Sequence, residues 1–469
     1  MIPMSATYRL KDLETRPSAA AAQNACKLCA PLGAALVFKG IAGAVPLLHG
    51  SQGCSTYIRR YLISHFKEPI DIACSNFGEQ TAIFGGGANL KLALDNIITQ
   101  YGPKMIGVAT TCLAETIGDN VPMFIHEYRK AHAGQELPPI VHVATPSYQG
   151  THMQGFHRAV LATVAGLAHD GVLTGNPLAR RINLFPGMVS PADLRYLKAV
   201  AAAFDLEAMV LPDYSQTLDG GLWSAYQRIP GGGTAVEDVA ACGHASASLE
   251  LGSVLAQMPE SAATYLEQHF GVAAHRLGLP MGIRQTDRFL QTLAAVAETP
   301  IPARYEEERG RLLDALVDGH KYVNNVRAVV YGEADLVAGV VDFLSEIGII
   351  PVICATGDKS GHLAPIVKQI LDPKWHDQVR ILEGVDFVEI EAEVRQARPE
   401  LMIGHSKGYS LARKLDIPLV RIGFPVHDRV GGGRLQHLGY QGAQALFDRI
   451  ANTLIERRQE ASEVGYTYM

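Results

Sequence analysis

No apolar run of about 18 residues occurs in this 469-residue chain, so nothing in it reads as a membrane span. The stretch before Cys26 is polar and mixed in charge, without a secretory core. No basic stripe is present, and a formal net charge of −6 argues against nucleic acid as a main partner. Low-complexity sequence is confined to Ala19–Ala22, and no strict repeat is found. Cysteine is sparse. Seven of them, an odd number in a chain too large to need stapling, point to a reducing cytoplasm with thiols available for metal.

What is abundant is apolar. A hydrophobic content of 48% against 19% charged residues fits a large buried core with further surface hidden against a partner subunit. Residues 1–25 read as an arm with one short helix. From about residue 30 the pattern is short apolar strand, turn and amphipathic helix, repeated, which implies parallel sheets with right-handed crossovers. IGVATT (106–111) and IVHVATPS (140–147) are strands of the first unit, and CLAETIGDNVPMFIHEYRK is a loop passing into a helix. INLFPG (182–187), a helix from Pro191 to Phe204 and the strand LEAMVLPDYS (206–215) belong to a second unit. A long polar helix over 303–326 leads to a third, with strands in RAVVYG, IIPVICATGD, VRILEGV, LMIGHS and IPLVRIGFP. The expected architecture is α/β: three Rossmann-like, doubly wound parallel-sheet domains at 26–180, 181–326 and 327–469, the last with C-terminal helices.

Four segments of the first domain carry sulfur or hydroxyl at turns marked by glycine or proline. They are ACKLCAPLGA, LHGSQGCSTYIRR, VATTCLAETIGDN and ATPSYQGTH, presenting Cys29, Cys54, Cys112 and Ser147. Ligands of open α/β sheets sit beyond the carboxyl ends of strands, and these positions follow that rule. Cys26 and Cys29 form a Cys-x-x-Cys pair, but no second pair exists to complete a zinc site. Alone, each cysteine reads as a buried core thiol. Jointly they favour an iron–sulfur site, and three thiolates are one short of a cubane's usual four, so another chain or Ser147 completes the set. Cys74, Cys242 and Cys354 read as structural thiols. His49, His65 and His405 read as backbone caps, and Lys407 and Arg421 as partners of carboxylates or of another subunit. Arg59 and Arg60 place positive charge just after the Cys54 loop.

These motifs resemble the β-type subunit of the nitrogenase component 1 superfamily. KLCAPLGA, HGSQGCSTYIRR, HFKEP, TTCLAETIGDN and TPSYQGTH carry the resemblance, and MGIRQTD, EEERGRLLDAL, VVYGEADLV, MIGHSKG, VRIGFPVHDR and LGYQGA extend it from residue 26 onward. The resemblance implies an α-type partner in an α2β2 heterotetramer and an eight-iron P-cluster (8Fe-7S) shared between the two subunit types. Its β-side ligands would be Cys29, Cys54 and Cys112, with Cys54 in the bridging place and Ser147 joining when the cluster is oxidised. Glu68 matches a carboxylate that some members use for an interfacial metal. A separate homodimeric ATP-binding iron protein would deliver electrons, which accords with the lack of a P-loop here. The active-site metallocofactor is expected in the partner chain.

Within the superfamily, retention of all three cysteines and Ser147 favours a full P-cluster over the simpler four-iron cluster (4Fe-4S) of tetrapyrrole reductases and of the cofactor-maturation scaffold. The short N-terminal region resembles the iron-only nitrogenases and the nitrogenase-like methylthio-alkane reductases. Reductive cleavage of carbon–sulfur bonds in methylthio-alkanes is therefore the first expectation. The maturation scaffold comes second, ahead of a nitrogenase acting on dinitrogen and of a purely structural partner.

Overall fold

The computed structural model describes residues 6–9, 24–169 and 178–464. Its contacts divide it into two compact units: Leu28–Glu250 with Met258–His275, and Met1–Lys27 with Leu251–Gln257 and Arg276–Met469. Three sheets are present, in six-, four- and four-stranded arrangements. We retain 26–180, 181–326 and 327–469 as proposed limits of three sheet-bearing domains. Within the expected arm, Ala6–Arg9 forms a strand antiparallel to Arg380–Glu383. The short helix expected there falls outside the described residues.

The first sheet, in spatial order, is Ala73–Cys74, Ala44–His49, Met105–Thr110 and Ile140–Val143, all parallel. The two central strands are buried along their whole length, as sheets covered on both faces require. Val45, Leu47, Ile106 and Val108 pack with Leu90, Leu94, Val121, Ile125 and Tyr128 from flanking helices. Helix Ala30–Lys39 is buried at all ten positions and lies against helix His152–Leu167. Two glycines permit that approach. A Cβ on Gly33 would lie 1.8 Å from the His152 carbonyl oxygen, and one on Gly155 would lie 1.9 Å from that of Ala30.

Several expected elements are shorter than their apolar runs. IVHVATPS pairs only over Ile140–Val143, because Thr145 gives its N–H and its hydroxyl to Thr110 and Pro146 has no N–H to give. LEAMVLPDYS is a strand only over Glu207–Val210, stopped before Pro212. CLAETIGDNVPMFIHEYRK makes two helices, Cys112–Ile117 and Val121–Ala131, parted at left-handed Gly118. The Asn120 side chain then caps the second helix by accepting the Met123 N–H. Pro191–Ala203 is a helix as expected, with a Ser190–Asp193 capping box at its start.

In the other unit the six-stranded sheet runs Ala6–Arg9, Arg380–Glu383, Ile350–Thr356, Arg327–Gly332, Leu401–Gly404, Leu419–Arg421. Its strand order reverses beside Arg327–Gly332, where ligands of such sheets usually bind. Here the chain fills that end itself. Cys26 donates its N–H to Val385 and accepts from Gly357, and its sulfur lies 3.7 Å from His405 Nε2. Lys407 donates to the carbonyls of Ala25 and Lys27. Arg421 does pair with a carboxylate, Asp428, at 2.8 Å.

Candidate functional site

The carboxyl edge of the first sheet gathers the sulfur atoms. In spatial order across the strands it presents Cys74, Cys54, Cys112 and Ser147, one from each strand end or the loop after it. Cys54 is the third residue of helix Gln52–Phe66, and Cys112 is the first of Cys112–Ile117. Cys29 is the N-cap of Ala30–Lys39. The sequence suggests open loops. The structure instead puts Cys29, Cys54 and Cys112 at helix N-termini, where unpaired N–H groups favour negative charge.

Ser147 ties two of the positions together and reaches the neighbour of a third. The Ser147 N–H donates to Cys112 Sγ at 3.2 Å, and Ser147 Oγ accepts the Ala30 N–H, also at 3.2 Å. Ser147 therefore bridges the Cys112 helix and the residue after Cys29. Below it, Thr145 donates two hydrogen bonds to Thr110, and the Thr110 hydroxyl donates to Glu115. The entry to Cys29 is fixed by Leu28, whose N–H donates to His152 Nδ1 at 3.2 Å and whose carbonyl accepts the His152 N–H. Tyr57, one turn after Cys54, keeps its phenol protonated above the usual range through burial, then through the nearby Cys29 and Tyr61. That shift places Cys29 within electrostatic reach of the Cys54 helix.

Exposure separates the seven thiols. Cys29, Cys54, Cys74 and Cys112 are half-buried, whereas Cys26, Cys242 and Cys354 are buried. Burial pushes the thiols of Cys26 and Cys242 up to about 12 and that of Cys354 higher still, which suits inert core groups. Cys74, read from sequence as structural with those, stands at the same sheet edge as Cys54 and Cys112. Its thiol donates to the Gly50 carbonyl at 3.3 Å and accepts the Asn76 N–H at 3.2 Å, and burial raises its pKa.

Glu68 does not join this group. It follows the left-handed Lys67 that ends helix Gln52–Phe66, roughly 18 Å of helix from Cys54. Arg59 is turned to the Ile70 carbonyl at 2.8 Å and to Asp71 at 3.8 Å, so its charge is already matched. His49 is no cap; it is buried between Ser75 and Asp119. Among the described residues no group of three or more His, Cys, Asp or Glu side chains is drawn together enough for a single metal ion. Half-buried thiols are soft donors of the kind iron–sulfur chemistry uses. Tyr57, Leu113 and Tyr148, near Cys54, Cys112 and Ser147 in sequence, are exposed, Tyr148 by 62%.

Known proteins share this sequence and fold. The profile of the family described as nitrogenase component 1 type oxidoreductase matches residues 29–455. The nitrogenase molybdenum-iron protein beta chain of Clostridium pasteurianum is 35% identical over 445 residues, covering 94% of this chain and 95% of the relative. The nitrogenase iron-molybdenum cofactor biosynthesis protein NifN of Bradyrhizobium diazoefficiens is 31% identical, covering 96% and 92%. A solved chain titled "Nitrogenase Cp1 at pH 6.5" superposes with a TM-score of 0.91 at 33% identity, over 97% of this chain and 98% of that one. A second chain, from "Nitrogenase Cp1 at pH 5", shares the fold at 14% identity with a TM-score of 0.70. This chain belongs to the nitrogenase component 1 oxidoreductase family, as a β-type subunit.

Proposed function

We propose that the chain holds its half of an interfacial eight-iron P-cluster (8Fe-7S), with Cys29, Cys54 and Cys112 as thiolate ligands. Support comes from one observation above all: three half-buried thiols and Ser147 line the carboxyl edge of one sheet, and Ser147 touches both the Cys112 sulfur and the residue after Cys29. When bound, such a cluster stores and passes electrons between an ATP-dependent homodimeric iron protein and a metallocofactor in the α-type partner.

The chain's own residues do the rest. The three thiols stand at helix N-termini, which suits an anionic cluster. The Ser147 N–H stabilises charge on Cys112 sulfur, and its hydroxyl, held by Ala30, is the added ligand of the oxidised state. Tyr57, Leu113 and Tyr148 exclude water once an α-type chain covers them. Glu68, far from the thiols, is proposed only for a separate interfacial metal whose other ligands lie on a partner.

For the reaction, we assign reductive C–S cleavage of methylthio-alkanes first, with substrate choice made in the partner chain. A second reading, a maturation scaffold with a four-iron cluster (4Fe-4S), is favoured by the relative named NifN. A third, reduction of dinitrogen, is favoured by the molybdenum-iron beta chains. Ligand assignment is tested by replacing Cys29, Cys54 or Cys112 with Ala in the complex and counting iron. Each replacement is expected to lower the iron per αβ pair, and Cys242→Ala is not. Iron counts untouched by all three ligand changes would refute the assignment. Headspace analysis of methylthio-ethane and dinitrogen reduction separates the substrates.

A further inference from the structure

Under the row of thiols lies a buried chain of three side chains. His49 ends strand Ala44–His49 and is 0% exposed; Ser75 is 3% exposed. Asp119, with a side chain only 4% exposed, follows the Cys112 helix. His49 Nδ1 lies 3.0 Å from Ser75 Oγ, and Nε2 lies 3.0 Å from Asp119 Oδ2. The Gly50 N–H donates to Ser75 Oγ at 3.0 Å. The Asp119 carboxylate only accepts, so the imidazole proton sits on Nε2 and Nδ1 is left to accept the Ser75 hydroxyl. Asp119 also accepts the Gly86 N–H at 3.0 and 3.1 Å.

Ser, His and Asp in series are also the parts of a hydrolytic triad. Here Ser75 is sealed from solvent and its oxygen is spent on Gly50, so no nucleophile is presented. What the series does is hold loops. Gly50, just ahead of Ser51 and Cys54, is gripped at both ends of its peptide unit. Ser75 takes its N–H, while Phe77 N–H and Cys74 Sγ both donate to its carbonyl, at 2.9 and 3.3 Å. A Cβ on Gly50 would lie 2.0 Å from Thr111 Oγ1, beside Cys112. Thr111 in turn donates its N–H and hydroxyl to the His49 carbonyl, at 3.1 and 3.3 Å. The edge of the His49 ring meets Phe77, with centroids 4.8 Å apart.

We infer that the Ser75–His49–Asp119 series is a positioning device that fixes Cys54 relative to Cys112, and that it thereby sets the redox potential and retention of whatever cluster those thiols share. One imidazole joins three separate loops, each carrying a cysteine. Because the bonds are buried, loosening one is not made good by water. The inference rests on the reading that Cys54 holds iron.

The test uses the intact complex with its α-type partner. His49→Phe keeps the ring contact and removes both hydrogen bonds; Ser75→Ala removes the Gly50 grip; His49→Gln restores a donor toward Asp119. The readouts are iron per αβ pair, midpoint potential by EPR-monitored titration, and the rate of iron release to bathophenanthroline. His49→Phe and Ser75→Ala are expected to load iron, shift the midpoint potential and release iron about tenfold faster, the effect of losing about one buried hydrogen bond. His49→Gln is expected to recover part of both. If His49→Phe fails to assemble, Ser75→Ala decides. Variants matching wild type in potential and release rate overturn the inference. A wild-type complex without iron overturns the underlying reading instead, so the two failures are told apart.

Discussion

Ser147 shows how much one side chain does at this edge. Its N–H donates to Cys112 Sγ and its Oγ accepts from Ala30, so both halves of the residue are committed, one to a thiol and one to the residue after Cys29. Ser147→Ala removes only the hydroxyl. It is expected to leave the iron count and the reduced state as in wild type while changing the EPR signal of the oxidised cluster; identical oxidised spectra would remove Ser147 from the ligand set. Glu68→Gln, some distance along the helix from Cys54, is expected to leave cluster iron unchanged in the same assay. At this scale much is visible in the sequence. Cys29, Cys54, Cys112 and Ser147 announce themselves because each follows an apolar run and meets Gly or Pro. Cys74 does not, since its companions in sequence, Ser75 and Asn76, carry no sign of a bond to Gly50 made through the fold. His49 is hidden for the same reason: its partners lie 26 and 70 residues away.

At the scale of elements, the crossing of Ala30–Lys39 on His152–Leu167 sets where Cys29 stands. Gly155→Ala drives a methyl into the Ala30 carbonyl, which belongs to the residue after Cys29. The expected cost is about 1–3 kcal/mol of stability, read by thermal denaturation, with a lower iron count because the Cys29 cap is displaced. The edge strand Ile140–Val143 supplies a pH dependence. Burial, then the nearby His49, lowers the His142 pKa to about 4, and its Nε2 has no hydrogen-bond partner among the described residues. The folded state thus binds fewer protons than the unfolded chain between pH 6.5 and about 4. The stability involved is fully present above the unfolded value and is lost as pH falls toward the folded one. Going from neutral pH to pH 5 should cost about 2 kcal/mol at this residue, and His142→Phe should flatten that slope in urea titrations. Strand limits are the least legible feature. Pro146 and Pro212 end pairing inside apolar runs that read as continuous, and the helix starting at Gln52 is hidden by the glycines around it.

For the whole molecule, the described residues form three sheets in two compact units, and exposed apolar side chains flank the edge that carries Cys54, Cys74 and Cys112. Alternation of strands and helices makes the α/β class readable from the sequence, because each parallel crossover imposes the same pattern. The assembly is less readable, since which surface meets an α-type chain depends on side chains exposed only by the fold, such as Phe84 at 84% and Tyr148 at 62%. If those side chains are covered by the partner, Tyr148→Asp is expected to weaken αβ association by at least tenfold in analytical ultracentrifugation, since a charge would be buried without a mate.

The central claim is that these thiols hold half of an eight-iron cluster. Its most direct test is iron determination with redox-resolved EPR on the anaerobically purified complex, comparing dithionite-reduced with mildly oxidised protein. The expected result is about eight irons per αβ pair, silence when reduced and a signal gained on two-electron oxidation. A reduced four-iron signal, or no iron, would contradict it.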